Sequence, residues 1–104
     1  MLDAIIERLT RLAPKLTSNL RQDQLDEAVR LLDALPHPLT RVDIAALIAL
    51  LPADGDDACG LNWTILHAIE ASPEWPIFPL LEDKHHEWIR ILRIRLRNAG
   101  ELNS

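Results

Sequence analysis

The chain has 104 residues, of which 48% are hydrophobic, and a formal net charge of −5 at pH 7. This length suffices for one domain with a single hydrophobic core and is too short for two ordinary domains. The acidic balance disfavours general nucleic-acid binding through phosphate contacts, and the single cysteine, Cys59, excludes an internal disulfide.

Two helices are predicted before residue 37. Apolar residues at helical spacing predict the first over residues 2–13, ending at Pro14, because proline lacks the backbone donor that a helix needs. Asn19 and Gln22 resemble a capping box that opens the second helix, and Pro36 ends it. The residues expected to face the core from this second helix are Leu25, Ala28, Val29, Leu32 and Leu35.

A third and a fourth helix are predicted on either side of an acidic segment. Thr40 and Asp43 form a capping box that opens the third helix, and Pro52 stops it. The fourth helix is predicted from Gly60 to Ala71. Its expected buried residues are Leu61, Ile65, Leu66 and Ile69.

The end of the chain combines a proline-rich segment with a last helix. Three prolines interrupt residues 72–80, which predicts an irregular segment that folds over the core. The last helix is predicted from near Asp83, with Gly100 as its C′ residue, because arginines before the glycine suit the negative end of the helix dipole. The three tryptophans are each expected in the core, with Trp75 as the best candidate for exposure.

The helical patterns together predict an all-α fold. Valine occurs only at Val29 and Val42, and no run alternates over the length of a strand. Short helices joined by proline-containing turns indicate a single compact domain over residues 1–104, with about five helices. Irregular antiparallel helical hairpins and a compact bundle fit this pattern equally well.

The sequence also bears on the compartment of the protein. Charged residues interrupt the apolar positions of the N-terminal segment, which is not typical of a signal peptide. The longest apolar run, residues 44–51, is too short to span a bilayer. One free thiol fits a reducing environment. We therefore expect a cytoplasmic protein without a membrane partner.

The most distinctive local feature is an acidic segment beside an aromatic residue. Asp54, Asp56 and Asp57 precede a helix that begins near Trp63. A calcium loop of the EF-hand type requires a glutamate twelve residues from its start, where Ile65 stands instead. Two alternatives stay open. One is a solvated loop that complements the dipole of the following helix, and the other is a partner-binding edge where carboxylates attract a basic surface.

The histidines do not predict a reaction. His85 and His86 are adjacent, so on a helix they point in different directions, and no cysteine or third histidine stands at ligand spacing. Solvated helix residues are expected there. His67 and Glu70 suit a local hydrogen-bonded pair. Because no pattern combines a nucleophile with a base and an oxyanion donor, we expect no enzyme, no cofactor and no metal site.

A basic stretch interrupts the acidic balance near the end of the chain. Arg90, Arg93 and Arg97 fall on one face of the last helix. Such a face suits nucleic acid or anionic lipid. However, Glu87 precedes Arg90 at the i,i+3 spacing that is typical of a solvated helix surface, and we expect no nucleic-acid partner.

Two segments resemble small bacterial immunity proteins, which are encoded beside polymorphic or contact-delivered toxins. They are DGDDACGLNWTILHAIEASPEWP at residues 54–76 and EWIRILRIRLRN at residues 87–98, in the second half of the chain. The resemblance implies a non-enzymatic cytoplasmic inhibitor that binds its cognate toxin domain, usually acidic when the toxin is a basic nuclease. Residues 1–50 carry no such resemblance.

The predicted function is therefore to bind and neutralise a toxin domain through the acidic segment and nearby aromatics. Carboxylates can mimic phosphates in the cleft of a nucleic-acid-processing toxin. The alternative is a helical adaptor or oligomerisation module that binds another protein through an apolar helix face. The oligomeric state is left open. The candidate partner-binding residues are Asp54, Asp56, Asp57, Glu70, Glu74 and Trp75.

Overall fold

The computed structural model describes residues 2–35 and 37–101. In this part of the chain five α-helices form without any strand, and a 3-10 turn spans Phe78–Leu81. The all-α prediction is confirmed. The helices are α1 (Ala4–Leu12), α2 (Gln22–Asp33), α3 (Arg41–Leu50), α4 (Leu61–Glu70) and α5 (Glu87–Asn98).

The helices pack around one apolar core. Helix α1 contacts α2 and α3, α2 contacts α4, and the 3-10 turn packs against α5. The Cα radius of gyration is 13.2 Å, as expected for one domain of about 100 residues. No described helix is long and apolar enough to cross a membrane. The largest fully buried side chains are Trp88, Ile6, Leu9, Leu16, Leu39, Ile44, Leu47, Leu51, Ile65, Leu66, Ile69 and Leu81.

The predicted capping box of α3 is confirmed and also holds α1. The Thr40 hydroxyl accepts from the Asp43 N–H, and the Thr40 N–H donates to Asp43 Oδ2, both at 3.2 Å. The other carboxylate oxygen, Asp43 Oδ1, accepts from the Asp3 N–H at 3.1 Å. One buried carboxylate therefore satisfies backbone donors at the starts of two helices.

The predicted end of the last helix is also confirmed. Gly100 has φ +79°, its N–H donates to the Arg97 carbonyl, and the Glu101 N–H donates to the Leu96 carbonyl at 2.8 Å. This pair of bonds is a Schellman motif, in which a left-handed C′ residue satisfies the last carbonyls. Glycine adopts that conformation without the steric cost of a Cβ atom.

Helix α2 differs from its prediction at its start and on one face. The predicted capping box is wrong, because the N-cap is not Asn19 but Arg21, whose N–H donates to Gln24 Oε1 at 3.0 Å. Val29 is 43% exposed, whereas Leu31 is buried. The buried stripe is thus rotated by part of a turn from the predicted one. Pro36, predicted to end this helix, lies outside the described residues.

Candidate functional site

The acidic loop, residues 52–60 between α3 and α4, is fastened to the start of α5. The Glu87 N–H donates to the Ala53 carbonyl at 2.9 Å. His86 Nε2 lies 2.9 Å from the Leu51 carbonyl, just before the loop. The backbone of the acidic loop is therefore tied to a helix that comes much later in the chain.

His86 makes this attachment as the N-cap of α5. Its Nδ1 accepts from the Ile89 N–H, which leaves Nε2 as the ring nitrogen that donates to the Leu51 carbonyl. The prediction of a solvated His86 is wrong, whereas His85 is exposed as predicted. The difference arises because residues 83–86 form a turn, which starts α5 later than the predicted Asp83.

Two further donors converge on the middle of the acidic loop. The indole N–H of Trp88 donates to the Asp56 carbonyl at 2.9 Å, and Asn62 Nδ2 donates to the same oxygen at 2.8 Å. Asn62 Nδ2 also donates to the Leu16 carbonyl at 3.0 Å. Trp88 and Asn62 are both buried. The acidic loop is therefore held on its core side by side chains that cannot move without disturbing the core.

The Asp56 carboxylate faces the protein rather than a partner. It accepts from the Ser18 N–H at 3.1 Å, the Ser18 hydroxyl at 2.8 Å and the Ala58 N–H at 2.8 Å. The Ala58 N–H and then the Ser18 hydroxyl lower the pKa of this carboxyl from its usual 3.8, because hydrogen bonds to the charged form favour it. Asp56 therefore joins the acidic loop to the segment between α1 and α2.

Asp54 and Asp57 are the exposed carboxylates of the acidic loop. Asp54 Oδ1 accepts from the Asp56 N–H at 3.0 Å, and Asp57 Oδ1 accepts from the Cys59 N–H at 3.1 Å. These local bonds fix where each carboxylate stands. Within residues 2–35 and 37–101, no three His, Cys, Asp or Glu side chains are placed to hold a metal ion together.

The acidic loop reaches α4 through a left-handed turn. Ala58, Cys59 and Gly60 have φ angles of +51°, +58° and +93°. A left-handed conformation costs a residue with a Cβ atom about 1–2 kcal/mol. Strain of this kind persists only where surrounding contacts impose it. Here the carboxylates of Asp56 and Asp57 impose it, since each accepts a backbone N–H of the turn.

Trp63, rather than Trp75, is the most exposed tryptophan. Trp63 is 38% exposed, and its ring meets the buried Trp88 ring edge to face, with centroids 5.0 Å apart. Trp75 is half-buried and packs against the core. The prediction that Trp75 is the best candidate for exposure among the tryptophans is therefore wrong. No sequence signal distinguishes Trp63, which lies in the first turn of α4 beside the acidic loop.

The six candidate contact residues fall into two groups. Asp54, Asp56 and Asp57 precede α4, whereas Glu70, Glu74 and Trp75 stand at or beyond its end. A helix of 10 residues separates the groups by about 15 Å. In the second group the Glu70 carboxylate receives two 2.7 Å bonds from the Arg95 guanidinium, while Glu74 is exposed.

A basic groove lies next to the acidic loop. Its volume is about 300 Å³. Arg90 pairs with Glu87 at 3.0 Å, and the Arg93 guanidinium donates to the Leu81 carbonyl at 3.1 Å. Glu87 in turn lies against Gly55, where an added Cβ would stand 2.8 Å from Glu87 Cγ. The residues that line the basic groove are Lys84, Arg90, Arg93, Ile94 and Arg97.

The lowered pKa of Asp56 predicts a pH dependence of stability. A carboxyl whose pKa is lower in the folded state stabilises the fold above its unfolded pKa of 3.8, and this contribution disappears as pH falls through the folded pKa. In thermal melts below about pH 4, Asp56→Asn should lose less stability per pH step than the unaltered protein. The same change at exposed Asp33 should leave the loss of stability per pH step as it is in the unaltered protein. An equal loss per pH step in all three proteins would contradict the prediction.

Comparison with protein-family models, curated proteins and solved structures finds no match to this chain. The resemblance to immunity proteins therefore stays a prediction from the sequence.

Proposed function

We propose that this protein is an immunity-type inhibitor that binds a basic toxin domain in the bacterial cytoplasm through its acidic loop. The observation that carries the proposal is the combination of outward carboxylates with a fixed backbone. Asp54 and Asp57 are exposed, whereas the backbone between them is held by Trp88 and Asn62 from the core. In this proposal the protein acts by binding and catalyses no reaction.

Rigidity favours binding because little conformational freedom is left to lose. Ordering a mobile loop at an interface costs part of the interaction free energy, and a loop that is already ordered avoids that cost. The strained turn at Ala58 and Cys59 supports the same interpretation, since the fold maintains an unfavourable backbone conformation beside these carboxylates.

Trp63 supplies the apolar part of the proposed contact. Tryptophan is enriched at the centres of protein interfaces, where it gives a large contact area at a low entropic cost. Trp63 rests edge to face on Trp88, so its ring is supported from behind. We assign Asp54, Asp57 and Trp63 to the contact, give Asp56 an internal role, and place Glu70, Glu74 and Trp75 in a separate patch.

The test is association with the C-terminal domain of a toxin-like protein encoded next to this chain. Reversing charge with Asp54→Lys and Asp57→Lys together should slow association about 10- to 100-fold at low salt, because steering of a basic partner is lost. The effect should shrink as salt is added. Stopped-flow or surface-based kinetics at two salt concentrations would measure both trends.

A matched control separates local from overall charge. Asp23→Lys with Asp33→Lys makes the same charge change on exposed positions of α2, and it should slow association far less. Equal slowing by both pairs would show that only net charge matters. Binding that neither pair nor salt affects would instead favour the adaptor, which binds through an apolar face.

A further inference from the structure

The basic groove and the acidic loop are neighbouring surfaces of opposite charge. Glu87 connects them, because it lies against Gly55 of the acidic loop and pairs with Arg90 of the groove. Beyond Arg90, the groove continues along α5 to Arg97. One side of the molecule therefore carries a negative projection and, next to it, a positive depression.

The cations of the groove suit a carboxylate ligand. Arginine presents planar, forked donors that match a carboxylate, and the bond from Arg93 to the Leu81 carbonyl holds one such fork in place. Lys84 adds a flexible cation at the start of the groove. Ile94 is 45% exposed among these cations and gives the groove an apolar surface.

Carboxylates at the start of α5 favour a short anion over a long one in the groove. Glu82 and Asp83 are exposed just before Lys84, and the acidic loop stands on the far side of Glu87. A nucleic-acid backbone that left the groove at the start of α5 would meet these carboxylates, and the chain is acidic overall. A compact acidic segment with two or three carboxylates avoids this repulsion.

We propose that the acidic loop of a second copy of this chain occupies the basic groove. Asp54 and Asp57 are exposed on that loop, and local hydrogen bonds fix the position of each carboxylate. They can therefore pair with the cations of Lys84 and Arg93. Because the loop and the groove are adjacent, two copies related by a two-fold axis can make both contacts at once. Such a closed, isologous arrangement is the commonest form of homodimer.

The dimer is weak and salt-sensitive. We expect two loop-and-groove contacts to bury less surface than a stable interface needs. At physiological salt, charges further apart than about 8 Å are largely screened, which weakens the repulsion between two acidic bodies more than the attraction between charges paired at the contact. This proposal does not depend on a toxin partner. If the proposed function also holds, the toxin domain and the second copy compete for the same loop.

Sedimentation velocity over protein concentrations from roughly 10 µM to 1 mM, where weak dimers associate, tests the proposal. The unaltered protein should show a concentration-dependent shift towards dimer that diminishes at high salt. Asp54→Lys with Asp57→Lys, and Lys84→Glu with Arg93→Glu, should each raise the dissociation constant about tenfold or more. The first pair of changes makes the loop positive like the groove, and the second removes the net positive charge of the residues that line the groove.

Mixing the two variants gives the sharpest result. The groove variant keeps the negative loop and the loop variant keeps the positive groove. The mixture therefore restores one attractive contact and should associate more strongly than either variant does alone. Lys84→Glu by itself, at an exposed position outside the helices, serves as a milder version if the double variant is unstable. Thermal melts establish that each variant is folded.

The control changes two exposed arginines of α1. Arg8→Glu with Arg11→Glu makes the same charge change as the groove variant, and it should leave dimerisation nearly unaltered. A protein that stays monomeric at about 1 mM, a mixture that fails to associate, or a control that weakens association as much as the groove variant would each overturn the proposal.

Discussion

Replacing Trp88 with alanine is expected to lower the free energy of unfolding by about 3–5 kcal/mol. Trp88 is 1% exposed and is the largest fully buried side chain. The change leaves a cavity between α5 and the acidic loop, and it also removes the donor to the Asp56 carbonyl. Denaturant unfolding followed by circular dichroism would measure the loss, which is a large part of the total stability of a small domain.

Two substitutions separate the contributions of Trp88. Trp88→Phe keeps most of the apolar volume and loses the indole N–H, so a smaller loss of about 1–2 kcal/mol is expected. Trp63→Ala removes the partner ring, which is already 38% exposed, and should cost about 1 kcal/mol. If Trp88→Ala were no more destabilising than Trp63→Ala, the central packing role of Trp88 would be refuted.

The features of this fold that depend on interactions between residues close in sequence could be predicted from the sequence. The capping box of Thr40 and Asp43 joins residues three positions apart, and the C′ role of Gly100 follows from glycine at the end of an arginine-rich helix. Both were predictable because the deciding atoms lie within one helical turn. The same holds for the all-α class, which follows from helical spacing of apolar residues.

Features that depend on distant contacts were not predictable in the same way. His86 is buried because Leu51, far earlier in the chain, offers a carbonyl to its Nε2. No residue near His86 in the sequence indicates that Leu51 is its partner. The error at α2 is local in origin, since Asn19 offered a plausible cap, whereas the backbone prefers Arg21 with the Gln24 side chain as acceptor.

The sequence predicts the location of the acidic loop but not the orientation of its individual side chains. Three aspartates marked the acidic loop, but sequence spacing does not show that Asp56 faces Ser18 while Asp54 and Asp57 face solvent. The exposure of Trp63 depends on how deeply Trp88 sits beneath it. Such distinctions need the packing of α5 against the loop, which only the three-dimensional structure supplies.

Asn62→Asp is the second substitution with a large expected effect. Asn62 is fully buried, and its Nδ2 donates to the carbonyls of Leu16 and Asp56. An ionised aspartate offers no donor there, so two carbonyl oxygens would face a buried negative charge. We expect a loss of about 3–5 kcal/mol at neutral pH, because an uncompensated buried charge is among the most destabilising changes known.

The pH dependence of this variant distinguishes charge from shape. Burial raises the pKa of the carboxyl that Asn62→Asp introduces in the folded state, so the penalty grows as pH rises. It shrinks below about pH 4, where the unfolded chain also binds the proton. The difference in unfolding free energy from the unaltered protein should therefore narrow in acid. A gap that is independent of pH would point to lost hydrogen bonds alone.

A neutral replacement and an exposed one complete the argument for Asn62. Asn62→Leu removes the donor without adding charge, and it also removes Oδ1, which has no hydrogen-bond partner among the described residues. It should cost about 1–3 kcal/mol, chiefly because the Leu16 carbonyl is left unsatisfied. Asn19→Asp makes the charged substitution at an exposed position and should have little effect. We expect Asn62→Asp to destabilise most, Asn62→Leu less and Asn19→Asp least. This order is expected if the buried amide of Asn62 holds the acidic loop, and a rigid acidic loop is what both proposed interactions require.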